Sequence, residues 1–197
     1  FNMKRRDFFR LGAQKAAKVV SRAALDKIVG PVGTWIRPPY SLSEVSFQQA
    51  CTRCDACIEA CTYDVLFKLT NNHGPQVADT PAMDLVNKGC HMCENWPCVA
   101  ACEAQALVMP GKGEERLRIA QVEIDPNICL PYAGPECGAC AHSCPVPGAL
   151  EWQDRIKPVI NQSLCSGCAL CREACIVEPK AVKVAPAVLE ESAAKVS

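Results

Sequence analysis

The hydrophobic pattern of the chain is a series of short runs divided by turn-forming residues, with one longer helical pattern near the N-terminus. Within residues 4–29, apolar side chains recur every three or four positions, and basic side chains lie on the other flank. This period predicts an amphipathic helix, which Gly30 and Pro31 end. Its apolar positions are Phe9, Ala13, Ala16, Val20, Ala24 and Ile28.

The later apolar runs have the length of β-strands. Residues 117–124 alternate between apolar and polar side chains, which predicts a half-buried strand. Residues 71–89 begin with Asn-Asn-His-Gly-Pro and are predicted to be a connector made of turns. The other predicted strands are 65–69, 106–109, 150–152, 158–160 and 182–184. Together with short helices beside the cysteines, these strands predict an α+β fold.

All sixteen cysteines fall into four sets of related spacing. The first and fourth sets read C-x2-C-x2-C-x3-C, the second C-x2-C-x4-C-x3-C and the third C-x7-C-x2-C-x3-C. In bacterial two-cluster ferredoxins, three cysteines of such a loop bind one 4Fe–4S cluster and the fourth binds the other cluster. The sets are Cys51, Cys54, Cys57 and Cys61; Cys90, Cys93, Cys98 and Cys102; Cys129, Cys137, Cys140 and Cys144; and Cys165, Cys168, Cys171 and Cys175.

Loop, short helix and strand therefore repeat four times along the chain. Two repeats make one two-cluster module, which predicts two bacterial ferredoxin-like modules side by side, with iron bound through all sixteen cysteines. Other uses of the cysteines fit less well. Structural zinc prefers two C-x2-C pairs about a dozen or more residues apart, and thiols this crowded are badly placed for disulfides. Four 4Fe–4S clusters are expected, with zinc or a mixed metal content as the alternative.

The charged residues are unevenly distributed. The chain has 21 basic and 21 acidic residues, but residues 1–30 hold eight basic against two acidic side chains, a net +6, which leaves −6 for the remainder. A basic leader on an acidic body is not a nucleic-acid-binding composition. Nucleophile–base motifs, phosphate loops and dinucleotide fingerprints are missing, so an electron carrier is expected and not an enzyme. Of the histidines His73, His91 and His142, His91 is expected at the surface or beside a cluster.

The cysteine spacings and their flanking residues resemble the MauM/NapG type of four-cluster ferredoxin-type proteins and, more distantly, the NapF type. The resemblance runs from about Trp35 to Val184. Its motifs are Ile36-Arg-Pro-Pro, Cys51-Thr-Arg-Cys-Asp-Ala-Cys, Gly89-Cys-His-Met-Cys-Glu-Asn-Trp-Pro-Cys, Cys129-Leu-Pro-Tyr and Cys175-Ile-Val-Glu-Pro-Lys-Ala-Val. It implies electron transfer between a quinol- or ferredoxin-level donor and a catalytic redox subunit of the molybdenum or tungsten type, or service as an accessory factor for such an enzyme.

By analogy with related four-cluster subunits, the resemblance implies that the first set pairs with the fourth, and the second with the third. Pairing of neighbours in sequence is the competing arrangement. The implied clusters are held by Cys51, Cys54, Cys57 and Cys175; by Cys165, Cys168, Cys171 and Cys61; by Cys90, Cys93, Cys98 and Cys144; and by Cys129, Cys137, Cys140 and Cys102.

Three segments are expected: the basic helix in residues 1–34, the four-cluster body in 35–185 and a tail in 186–197. Within the body, the repeats cover about 46–70, 86–110, 125–152 and 160–184. The helix is expected to pack on its own body or on another subunit, including a second copy. Peripheral membrane contact through residues 4–29 is the alternative.

The start of the chain also resembles an export signal. Arg5 and Arg6 match the twin-arginine type, but five charged side chains interrupt residues 11–29, where a working signal needs an apolar region. A cytoplasmic location is therefore expected, with periplasmic export as the alternative.

The expected function is a wire that passes single electrons through four clusters to or from a partner oxidoreductase. The alternatives are an accessory or maturation protein for a molybdenum enzyme such as a nitrate reductase, a periplasmic quinol-linked ferredoxin, and a redox sensor. Arg37 is expected to be exposed to solvent. The cations near the cluster loops are expected either to raise local potentials or to be solvated; they are Arg53, Lys68, Arg172 and Lys180.

Overall fold

A computed structural model describes residues 35–111 and 117–187. The expectations for the basic helix in 1–34, the loop tip at 112–116 and the tail beyond 187 lie outside these residues. Within the described part, no helix combines the length and apolar character needed to cross a membrane. Below, residues 35–111 are called the first half and residues 117–187 the second half.

Short helices alternate with three antiparallel sheets of two strands each, which confirms the α+β class. The helices are α1 (Glu44–Ala50), α2 (Ala56–Glu59), α3 (Pro97–Ala100), α4 (Leu130–Ala133) and α5 (Leu170–Glu173), with a 3-10 turn at Asn71–His73. The strands are β1 (Leu66–Lys68), β2 (Pro81–Met83), β3 (Ala120–Ile124), β4 (Leu150–Gln153), β5 (Lys157–Ile160) and β6 (Val182–Pro186).

Each half contains an inner strand pair and an outer pair that joins its two ends. In the second half, β4 and β5 form the inner hairpin, and β3 pairs with β6 so that Val122 faces Val184. In the first half, β1 pairs with β2. The outer pair there is reduced to one bridge between Ser41 and Leu107.

The sequence predicted most of these strands but not all. The alternation in residues 117–124 is confirmed for β3, where Ala120 and Val122 are buried and Gln121 and Glu123 are exposed. The connector at 71–89 was wrongly predicted to consist of turns, because it contains β2. That strand is three residues long, begins with proline and is buried throughout, so it shows no alternation. The strand predicted at 106–109 is wrong in extent, since only Leu107 forms a bridge.

The hydrophobic core runs through both halves. Its first-half members include Phe47, Val65 and Leu85, and it continues through Ile119 and Ala169 of the second half. Cysteines belong to the same packing: Cys57 and Cys168 are buried within it, and other cysteines border it. A separate small cluster consists of Trp35, Leu69, Val77 and Ala82. The cysteine loops are thus part of the core and not surface attachments.

Arg37 is buried, so the expectation of a solvent-exposed arginine is wrong. Its side chain is 8% exposed and forms a two-pronged contact with Glu44, at 2.5 and 2.9 Å. It also donates to the hydroxyl of Thr80 and the carbonyl of Pro81, both at 2.8 Å, and lies 4.6 Å from the centre of the Phe47 ring. Arg37 therefore links the segment before α1 to α1 itself and to the start of β2.

Candidate metal centres

Three helices of a single turn each place one cysteine near its own loop and the next cysteine near a second loop. Helix α2 contains Cys57 and is followed by Cys61; α3 and α5 repeat this arrangement with Cys98 and Cys102, and with Cys171 and Cys175. Residues four apart lie on the same face of a helix, about one turn (5.4 Å) apart along its axis. The third cysteine of a set can thus face its own loop while the fourth reaches a second loop. In the third set, a turn between Cys140 and Ser143 takes the place of the helix.

The sixteen cysteines line four cavities, with four cysteines in each. The cavities measure about 340, 380, 380 and 310 Å³ for sites I to IV, including the part that opens to solvent. Site I has Cys51, Cys54, Cys57 and Cys102; site II has Cys90, Cys93, Cys98 and Cys61; site III has Cys129, Cys137, Cys140 and Cys175; site IV has Cys165, Cys168, Cys171 and Cys144.

This arrangement overturns the pairing implied by analogy. Sets adjacent in sequence exchange their fourth cysteines, because Cys102 reaches the first loop and Cys61 the second. In the second half, Cys175 and Cys144 are exchanged in the same way. The physical reason is local: α2 packs on α3, and the β1–β2 and β4–β5 pairs turn the chain back between adjacent sets. All sixteen predicted residues are thus placed, but with different fourth partners.

Left-handed backbone curls the loops around the cavities. In the first and fourth sets, the residues just before and just after the second cysteine both have positive φ. Non-glycine residues in this conformation cost about 1 to 3 kcal/mol each and persist where the surrounding structure fixes them, often at ligand sites. The affected residues are Arg53 and Asp55, Gly167 and Ala169, and, in the wider second loop, Met92, Asn95 and Trp96. The first and fourth loops thus share one backbone curl around the second cysteine, although their sequences differ.

The thiols are crowded in an environment that disfavours a free thiolate. Burial, together with the charges of Cys51, Cys102 and Cys54, raises the pKa of Cys57 to about 12. Burial likewise raises the pKa of Cys171 to about 12, with contributions from its neighbours in site IV and from Cys140 of site III. A bound cation reverses this preference, because a metal-coordinated thiol is deprotonated outright.

These features fit a polynuclear iron–sulfur group. Each cavity offers four thiol ligands, and a 4Fe–4S cluster uses four cysteine thiolates. Among residues 35–111 and 117–187, no three His, Cys, Asp or Glu side chains converge on one metal-ion position. At site IV, the amide of Gly167 also donates to the sulfur of Cys165 at 3.4 Å.

The cations near the loops bind backbone carbonyls and are not simply solvated. Arg53 donates to the carbonyls of Gln76 and Ala78. Lys180 donates to three carbonyls at the end of α5, those of residues 172, 173 and 175. Arg172 donates to the carbonyls of Val86 and Val182. Lys68 instead pairs with Asp55 at 2.5 Å. These contacts hold the cysteine-bearing segments in place, a role that the sequence did not indicate.

His91 lies beside site II. Its ring stacks on Tyr63 with ring centres 3.5 Å apart, and both rings line the cavity. Its Nε2 is 4.0 Å from Glu173. This position beside the ligands is one of the two that the sequence predicted.

Comparison with known proteins places the chain in a family. It is 32% identical over 187 residues to the methylamine utilization ferredoxin-type protein MauM of Methylobacillus flagellatus, covering 90% of this chain and 79% of the relative. It is 31% identical over 194 residues to the ferredoxin-type protein NapG of Escherichia coli, covering 92% and 83%. The NapF protein of the same organism is 34% identical over 146 residues, covering 72% and 80%. No family model matches the chain, and no solved structure matches it.

The cysteine sites and the relatives together define a ferredoxin-type electron carrier. The chain belongs to the MauM/NapG family of ferredoxin-type proteins. Family membership and the sixteen cysteines support iron–sulfur clusters as its cofactors. The family predicted from the motifs is confirmed.

Proposed function

We propose that the protein is the electron-transfer subunit of a larger redox complex and holds four 4Fe–4S clusters, one in each of sites I to IV. The clusters supply one-electron oxidation and reduction, and the chain supplies sixteen thiolate ligands and the distances between the sites. Each half would form one two-cluster ferredoxin-like module. The expected body at residues 35–185 corresponds to these two modules.

The exchange of fourth cysteines is the observation that carries this proposal. One helical turn joins ligands of two sites, so neighbouring clusters would be held close by covalent structure. Such close spacing suits the transfer of electrons from one cluster to the next. The cavities also differ in their loops and in the cations nearby, which favours different potentials at different sites.

The partner is proposed to be a molybdenum- or tungsten-type oxidoreductase. This rests on the resemblance in the sequence, and one group of relatives carries a name that refers to methylamine utilization instead. The accessory or maturation role is the second candidate, because relatives named NapF and NapG occur together among those found. The proposed location is the cytoplasm, on the basis of the charges within residues 11–29.

Iron content and redox titration test the cofactor proposal. Anoxically purified protein should contain about sixteen iron atoms per chain and show four one-electron centres. The Cys54→Ser variant should lose or alter the centre of site I and leave the two centres of the second half unchanged. A protein that binds zinc at full occupancy, or one with fewer than four centres when iron-saturated, would refute the four-cluster proposal.

Anoxic affinity purification from the source cell tests the partner proposal. A stoichiometric molybdenum- or tungsten-containing subunit would support the built-in electron carrier. Recovery of only an unprocessed enzyme precursor would favour the accessory role, and recovery of the chain alone would exclude a stable complex. Sequencing the N-terminus of the purified chain tests the location, since a shortened terminus would indicate export.

A further inference from the structure

The two halves meet at a backbone contact between two cysteine loops. The amide of Cys90, a ligand residue of site II, donates to the carbonyl of Cys168, a ligand residue of site IV, at 2.7 Å. Sites II and IV are therefore neighbours across the boundary, although their sets are not adjacent in sequence.

Two glycines flank this contact, one packed across the boundary between the halves and one packed within the second half. Gly89 directly precedes Cys90, and a Cβ atom there would lie 2.7 Å from the Leu170 side chain and 2.9 Å from its Cα. Gly167 directly precedes Cys168, and a Cβ atom there would lie 2.1 Å from the carbonyl oxygen of Ala120. Real Cβ contacts are not this short, so a larger residue at Gly89 must push the two halves apart, whereas one at Gly167 must push the site IV loop away from β3 of its own half. Both loops of the junction thus depend on glycine next to the bridging cysteine.

Two more hydrogen bonds between the described halves join the same short segments. The amide of Gly89 donates to Glu173 Oε2 at 2.9 Å, and Arg172 donates to the carbonyl of Val86 at 2.8 Å. The bonded groups lie in residues 86–90 and on helix α5, which contains Cys171 of site IV and is followed by Cys175 of site III. The junction is therefore fixed at several points around the Cys90–Cys168 contact.

Within each half, the sites are joined by their shared helices. Sites I and II share α2 and α3, which pack against each other. Sites IV and III share α5, which ends between Cys171 and Cys175. With the junction between II and IV, these links give a single line of neighbours.

We propose that the four sites form a relay in the spatial order I–II–IV–III, and that the Gly89-Cys90 and Gly167-Cys168 contact is the electron-transfer bridge between the halves. This inference rests on the proposed function, and it makes sites I and III the two ends that meet external partners. Exchange across the bridge is of one electron: one side is oxidised, the other is reduced, no covalent bond of the chain changes and no proton moves. The external reductant is a one-electron donor protein at one end, and the oxidant is a one-electron acceptor at the other.

The Gly89→Ala variant of the full chain tests the bridge, with Gly138→Ala as the matched control. Gly138 lies in the loop of site III and has no left-handed backbone, and a Cβ atom there would meet nothing within 4 Å. A relay that follows the sequence order would instead place site III next to site II. The protein is loaded with iron, reduced with dithionite and measured by electron paramagnetic resonance, and amide hydrogen exchange is followed residue by residue.

The Gly89→Ala variant should keep its iron but lose the magnetic interaction between the two inner centres, and exchange at Cys90 should rise about tenfold, as for one lost hydrogen bond. Gly138→Ala should leave both unchanged. An unchanged spectrum and unchanged Cys90 protection in iron-loaded Gly89→Ala would overturn the proposal, as would loss of the interaction in Gly138→Ala.

If Gly89→Ala does not fold, hydrogen exchange in the unaltered protein still tests whether the junction between the halves is fixed. The Cys90 amide, which bonds across the halves, should exchange at least about tenfold more slowly than the Ala141 amide, which bonds within a local turn. Equal or faster exchange at Cys90 would refute a fixed junction. Failure of the proposed function is recognised separately, since the unaltered protein would then hold too little iron for four clusters after anoxic loading.

Discussion

Removal of the Arg37 guanidinium is the sharpest test of how the first half is held together. In the Arg37→Ala variant, Glu44 loses both prongs of its contact, and the carbonyl of Pro81 loses a donor. The Glu44 side chain is only 18% exposed, so water replaces the guanidinium poorly. The cation above the Phe47 ring is lost as well. The variant therefore leaves a charge partly buried without its partner.

Breaking a buried ion pair by removing one member costs about 3 to 5 kcal/mol, and the residual exposure of Glu44 places this case near 3. That free energy corresponds to about a hundredfold rise in the local opening constant. The Arg37→Lys variant keeps the charge but cannot reproduce the planar fork, so a loss of about 1.5 kcal/mol is expected. The order of stability should be wild type, Lys variant, Ala variant.

Hydrogen exchange of the iron-loaded protein under anoxic conditions measures this local stability. The Met83 amide, which donates to the Ile36 carbonyl at 2.8 Å, lies next to the Arg37 contacts and should exchange about a hundredfold faster in Arg37→Ala. Arg118→Ala is the control, because Arg118 makes one exposed contact to the Gln162 carbonyl and should cost about 1 kcal/mol or less. Equal effects of the two alanine variants at Met83 would refute the account.

The pH dependence of stability provides a second test of the contact between Arg37 and Glu44. Burial raises the pKa of Glu44, but hydrogen bonds from Arg37 and Gln48 and the charge of Arg37 outweigh it and hold the pKa below 4.5. The stability from this group is thus present above pH 4.5 and is lost as the pH falls through the folded-state pKa. Without Arg37, burial is the dominant influence and raises the pKa of Glu44, so acidification favours the variant's folded state. The stability difference between wild type and Arg37→Ala should therefore shrink from pH 7 to about pH 5.

Three further predictions concern the metal centres. Cys102→Ser should alter the same paramagnetic signal as Cys54→Ser, and Cys175→Ser a different one; a shared signal for Cys54 and Cys175 would restore the pairing implied by analogy. Burial raises the pKa of Cys57 to about 12, so cluster binding at this thiol must displace a proton. Iron release to a chelator should therefore be faster at pH 6 than at pH 8, and a pH-independent rate would contradict this. Lys180→Ala should cost about 1 to 2 kcal/mol through the lost cap of α5 and lower the urea midpoint, whereas an unchanged midpoint would show that solvent replaces the cap.

The local sequence was enough to predict the cysteine loops and the strands β3, β4 and β5. Three cysteines within one tight loop are constrained by the few residues between them, and the alternation in β3 reflects a strand with one buried face. The inner hairpin β4–β5 was also predicted, because its strands are adjacent in sequence and divided by a turn. In each case, the information lies within a short window of the chain.

The errors involve contacts between separate segments and one strand that is too short to show a pattern. The pairing of fourth cysteines depends on how α2 packs on α3, which ligand spacing does not encode. Arg37 precedes two prolines and suggested an exposed segment, yet its contacts are Glu44, Thr80 and Pro81. Strand β2 is too short for periodicity to show. The segment between the first and second cysteine sets forms the antiparallel pair β1–β2, which returns the chain to the first set. This short connection was the signal that could have predicted pairing between neighbouring sets.

The shared helices make each half one mechanical unit around two centres. Because α3 carries Cys98 for site II and is followed by Cys102 for site I, a displacement at one site moves a ligand of the other. The core offers little independent support, since the loops themselves form part of it. Metal binding and folding are therefore expected to be coupled within a half. Between halves, the connection is the glycine-lined junction at Cys90 and Cys168, so the same contact that aligns the inner sites also fixes how the two folding units dock.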